Sequence, residues 1–73
     1  MEEEITWQDR LYIEYSQLNK KITLLQAYLD SEAYEEQSEQ YKTMLSAQVT
    51  AMATYANILQ LRIQVLEQTP GAM

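Results

Sequence analysis

The sequence contains no cysteine and no histidine. A disulfide framework is therefore excluded, and the usual ligands of a structural zinc site are missing. Nucleophile–histidine pairs of the kind that drive acyl transfer are excluded with them. Glycine and proline occur once each, as Gly71 and Pro70. No glycine-rich phosphate loop can be built from that, and nothing breaks a helix before residue 70. Positive charge is also scarce. Arg10, Lys20, Lys21, Lys42 and Arg62 stand against eleven acidic residues, for a net charge of −6. A duplex binder needs a basic footprint, so duplex nucleic acid is not an expected partner.

A membrane span is not expected either. Thr43 to Leu61 carries no charge, but it holds Thr43, Ser46, Gln48, Thr50, Thr54, Asn57 and Gln60. That is too much polarity for a bilayer core. The opening Met1-Glu2-Glu3-Glu4 has the wrong charge for a secretory leader. The expectation is a cytoplasmic protein without a cofactor and without a metal site. Carboxylates do pair at helical spacing, Glu32 with Glu36 and Glu35 with Glu39. Such pairs more often form a solvated acidic face than a cation site. Serines 16, 31, 38 and 46 lack an evident base, so no enzymatic activity is expected.

What the sequence has is helix. It is one domain of 73 residues, too small to bury a large core by itself. Hydrophobic residues make up 47%, which argues against disorder. The reading is all-α: a helical hairpin with a short connecting helix, assembled as a homo-oligomeric bundle. Thr6-Trp7-Gln8-Asp9 resembles a capping box and starts helix one, about 7–29. Its seam is Leu11, Tyr15, Leu18, Ile22, Leu25 and Leu29, spaced 4-3-4-3-4. Ser31 caps a short helix, about 32–36. Ser38 caps helix two, about 39–68, and residues 69–73 form a tail.

Helix two shows two stripes. The first runs through positions 41, 45, 48, 52, 55, 59, 62 and 66 and is expected to face helix one, with Gln48 and Arg62 as polar interruptions. The second is Met44, Ala47, Ala51, Thr54, Ile58, Leu61 and Val65. A lone hairpin needs one apolar stripe, so the second, small at its centre, is the expected oligomer interface. Thr54 can bond the carbonyl of Thr50 one turn back. Candidate ligand-binding residues are Arg10, Lys20, Lys21, Gln48, Tyr55 and Arg62. Arginine grips a phosphate with two parallel hydrogen bonds, and a tyrosine offers a flat face to a base.

Several residues carry a resemblance to a known family. They are Asp9-Arg10-Leu11, Glu14-Tyr15, Leu18, Ile22, Leu25 and Tyr28 to Glu32. In helix two they are Leu45, Gln48, Met52, Tyr55, Ile58-Leu59 and Arg62-Ile63. The segment Trp7 to Glu67 resembles small helical proteins encoded by tailed bacteriophages, including crAss-like phages. It departs from them in having Gln37 where a leucine commonly precedes the Ser38 cap. In size and hairpin architecture it is also similar to phage proteins that oligomerise and sequester nucleotide signals of the CBASS and Thoeris defences. The resemblance implies a sponge in the infected cell that binds a cyclic oligonucleotide or cyclic ADP-ribose type signal. The alternatives are an acidic oligomeric module that binds a host protein, and a structural phage accessory protein.

Overall fold

The computed structural model describes residues 6–68. The expected tail, 69–73, lies outside them. Three helices follow one another: α1 (Trp7–Leu29), α2 (Glu32–Glu35) and α3 (Glu39–Gln68). No strand occurs among the described residues, so the fold is all-α. None of these helices is long and apolar enough to cross a membrane.

Each helix begins where a side chain can satisfy its free amides. The Asp9 amide donates to Thr6 Oγ1 at 3.1 Å, and the Thr6 amide donates to Asp9 Oδ2 at 3.3 Å. This reciprocal pair closes the capping box. Ser31 Oγ accepts from the Tyr34 amide at 3.3 Å, and Ser38 Oγ accepts from the Tyr41 amide at 3.1 Å. The α2 helix is a single turn, with Glu36 as its C-cap.

α1 and α3 pack side by side and run in opposite directions. Tyr12, near the start of α1, donates its hydroxyl to Glu67 Oε2, near the end of α3, at 2.9 Å. Leu11, Leu59 and Ile63 form the core cluster, with Tyr15, Leu18 and Leu66 against it. Leu59 is fully buried.

The α1 seam faces α3 as its spacing predicts: Leu11 and Ile22 are buried, and Tyr15, Leu18, Leu25 and Leu29 are half-buried. The α3 seam differs from its expectation. The positions turned inward are Lys42, Leu45, Val49, Met52, Ala56, Leu59, Ile63 and Leu66. Leu45, Met52, Leu59 and Leu66 belong to both registers. The other four move by one residue, about 100° around the helix. Tyr41, Gln48, Tyr55 and Arg62 are therefore exposed rather than in the core. The physical reason is desolvation. The shifted register buries Ala56 and Ile63, half-buries Val49, and leaves an amide and a guanidinium in water.

The joint is knitted by side chains. Tyr28 and Tyr34 meet edge to face, with centroids 5.9 Å apart. Tyr34 donates its hydroxyl to the Lys42 carbonyl at 3.0 Å, and the Lys42 ammonium lies 5.8 Å from the Tyr34 ring centre. Gln37, the departure from the family pattern, donates its amide to the Tyr28 hydroxyl at 3.2 Å and to the Ala33 carbonyl at 3.4 Å. A hydrogen-bonded clasp stands there in place of an apolar contact.

Candidate functional site

α3 is a helix with two faces. One is the seam against α1. The other carries Met44, Ala47, Ala51, Thr54, Ile58, Leu61 and Val65, and every one of these residues is exposed. Met44 is 58% exposed, Ile58 49%, Leu61 58% and Val65 60%, although all four are large and apolar. The only buried hydrophobic side chains among the described residues are Leu11, Ile22, Ala56, Leu59 and Ile63. The α1–α3 pair thus shows water more large apolar side chains than it hides. Thr54, the polar member of the open face, donates its hydroxyl to the Thr50 carbonyl at 3.1 Å. Its polarity is met within its own helix, so covering it leaves no bond unmade.

Between the two faces runs a ridge of Tyr41, Gln48, Tyr55 and Arg62, one residue every two turns. Tyr55 donates its hydroxyl to Glu14 Oε2 of α1, which pins the tyrosine and leaves its ring partly open. That hydrogen bond, with desolvation and the carboxylate charge, pushes the Tyr55 pKa up, while the nearby Arg62 guanidinium pulls it down. Arg62 and Tyr55 therefore share one electrostatic neighbourhood. Gln48 makes only a 4.0 Å contact, from Nε2 to the Met52 sulfur. It pairs with no backbone group among the described residues.

Arg62 also lines a shallow, mostly apolar groove with Trp7, Leu11, Ile58, Leu61, Val65 and Leu66. Ion pairs among the described residues involve Lys42 alone, at 3.6 Å to Glu35 and 3.8 Å to Glu39. Arg62 lies beside apolar walls with no carboxylate partner among the described residues. Such a group invites an anion, because charge-assisted hydrogen bonds are the strong ones.

The remaining candidates are dispersed. Lys20 borders a separate groove on α1 with Tyr15, Ser16, Asn19, Thr23 and Leu24. Lys21 and Arg10 are exposed on α1 and have no ion pair among the described residues. One chain thus brings Tyr55 and Arg62 together, with Gln48 two turns further along the ridge. In the sequence Trp7 figures only in the capping segment Thr6–Asp9 and as the first residue of the segment that carries the resemblance. The structure sets it, 58% exposed, in the groove of Arg62. The available signal was its position four residues before Leu11, on a helix running against the C-terminal half of α3.

The arrangement offers charge, a flat ring and apolar walls. It suits recognition of an anionic, partly aromatic molecule. Neither the curated proteins nor the solved structures compared with the chain give a match. A family model described as Sequestin matches residues 5–65, which take in all of α1 and α2 and most of α3, and the chain belongs to the Sequestin family.

Proposed function

We propose that the protein is a non-enzymatic sponge, encoded by a phage and acting in the cytoplasm of the infected bacterium. It assembles from helical hairpins and sequesters a nucleotide immune signal of the cyclic oligonucleotide or cyclic ADP-ribose type. The family's name is in keeping with sequestration. The observation that carries the reading is Arg62, a cation without a carboxylate partner among the described residues, set beside Tyr55 and Trp7 at the margin of an uncovered apolar face. A second copy on that face would turn a shallow groove into an enclosed pocket. Sequestration needs affinity and no reaction, and four of the five basic residues stand without an ion pair among the described residues.

Net charge opposes the binding of an anion at long range, since the chain carries −6. Screening confines that repulsion to roughly 8 Å at physiological salt, so the local cation decides at contact. The test is a thermal-shift panel of cyclic dinucleotides, cyclic trinucleotides and cyclic ADP-ribose isomers. The reading expects one class to raise the melting temperature, and Arg62→Ala to lose that shift with unchanged mass and helicity.

A second reading rests on the exposed carboxylates of the joint, where Glu35 and Glu39 have side chains 73% and 91% exposed. That acidic end suits a basic host protein. Retention of such a protein by the immobilised sponge candidate, with no response to any nucleotide, would favour it.

A further inference from the structure

The open face of α3 has an internal symmetry. Its small residues lie near the middle of the helix, and pairs of positions summing to 105 join six of its seven members: Met44 with Leu61, Ala47 with Ile58, and Ala51 with Thr54. We propose that two copies of α3 pack antiparallel on this face, about a two-fold axis between Ala51 and Thr54. The ligand groove then becomes composite, with Arg62 and Tyr55 of one copy facing Tyr41 and Gln48 of the other. The inference rests on the homo-oligomer of the preceding section and adds its direction, its register and the shared groove.

Size is the first argument. Packed helices hold a near-constant separation of about 8–10 Å. A parallel pair would set Ala47, Ala51 and Thr54 on their own copies and Ile58, Leu61 and Val65 on theirs. The axes would be close at one end and forced apart at the other. The antiparallel register puts Ala47 against Ile58 and Met44 against Leu61 on both sides of the small Ala51–Thr54 centre, so the axes are not forced apart at one end alone.

Charge is the second. Glu39 opens α3, and Glu35, the last residue of α2, is held to the same end through Lys42, with Glu32 and Glu36 close by in sequence. A parallel pair brings both acidic ends together, whereas the antiparallel one separates them by about 40 Å at 1.5 Å per residue, well beyond the screening length. It also sets the two helix dipoles head to tail.

The third argument is the ridge. When two helices pack antiparallel about a two-fold axis, like flanks meet at each edge. The flank holding Tyr41, Gln48, Tyr55 and Arg62 therefore meets its own copy, where 41 lies level with 62 and 48 with 55. These sums are 103, within two residues, or about 3 Å, of the face register. Arg62 lacks a carboxylate partner among the described residues, and Tyr41 and Tyr55 are 41% and 42% exposed. The groove so formed has an arginine and a tyrosine at each end and glutamine between them. Because the axis repeats it, the groove carries one cation at each end, one from each copy, about 31 Å apart along the helices.

Cysteine cross-linking tests this directly, because the chain has no cysteine of its own. Met44→Cys and Leu61→Cys chains are each oxidised alone and then as a mixture. Both positions are 58% exposed, so neither change touches the core. Along one helix the two sites are about 25 Å apart, and a disulfide needs Cα atoms within about 7 Å. A cross-linked dimer is expected in the mixture and not with either chain alone. Tyr41→Cys mixed with Arg62→Cys, joined by a flexible bis-maleimide linker because flank positions lie farther apart than a disulfide allows, should cross-link likewise, which tests the shared groove itself. Dimers formed by Met44→Cys alone and by Leu61→Cys alone mean a parallel pair and overturn the inference, while the oligomer survives. An oligomeric mass with no cross-link in either mixture also overturns the register. A monomeric mass for the unaltered protein by light scattering overturns the homo-oligomer and this inference with it.

Discussion

Ala51 and Ala56 lie five residues apart on one helix, and a glutamate at each should do different damage. Ala51 is at the centre of the uncovered face and Ala56 is 7% exposed against α1. Full burial of a large apolar side chain is worth about 1.5–3 kcal/mol. Met44, Ile58, Leu61 and Val65 are each half to three-fifths exposed, so an interface covering them recovers about half of that apiece. The sum is about 3–6 kcal/mol per chain. An unpaired carboxylate buried among them costs several kcal/mol, which is enough to cancel it. Ala51→Glu should thus give a smaller particle whose α1–α3 pairing is intact. Ala56→Glu should put the same charge beside Leu59 and Ile63 and unfold the chain. Light scattering reads the mass and circular dichroism the helix content. The reasoning fails if Ala51→Glu keeps the parent mass, or if Ala56→Glu stays as helical and as thermally stable as the parent.

Replacing Arg62 by Ala should abolish ligand-induced thermal stabilisation, and Arg62→Lys should restore only part of it, because an ammonium cannot make two parallel bonds to a phosphate. Glu14→Gln should strengthen anion binding by about two- to three-fold, the scale of one unit charge acting through water over roughly 8 Å; titration calorimetry with the responding nucleotide would show it, and weaker binding would remove Tyr55 and Arg62 from the site. Tyr12 and Tyr55 have pKa values raised above 10.0, first by their hydrogen bonds to Glu67 and Glu14. A raised folded-state pKa contributes stability that is present below pH 10 and lost as pH climbs through the folded value. The melting temperature should therefore fall above pH 10, and less steeply in Tyr12→Phe and Tyr55→Phe, while tyrosinate absorbance reports the late ionisation.

Much of the fold was legible because its signals are local. The hydroxyls of Thr6, Ser31 and Ser38 mark the helix starts by capping amides three residues on, and the α1 seam follows from spacing alone. The rotation of α3 was not legible. Two registers share Leu45, Met52, Leu59 and Leu66, and periodicity cannot choose between neighbours of those leucines. The choice is made by what each register desolvates, and tyrosines at 41 and 55 made the wrong one look apolar. The site was legible in part. Tyr55 and Arg62 share a ridge by simple i, i+7 spacing, but the place of Trp7 beside Arg62 depends on how α1 lies across α3. The hydrogen bond from Tyr55 to Glu14 is likewise a tertiary fact, joining residues 41 positions apart.

Sequestration itself is tested most directly by recovery of the ligand. The protein is incubated with the cyclic nucleotide that raises its melting temperature, passed over a desalting column and then heat-denatured. The released small molecule is identified by mass spectrometry. The account predicts that the nucleotide co-elutes with the protein, is withheld from solution until denaturation, and returns chemically unchanged in a fixed ratio to chains. A nucleotide that passes the column free, or that returns hydrolysed or otherwise altered, contradicts a sponge.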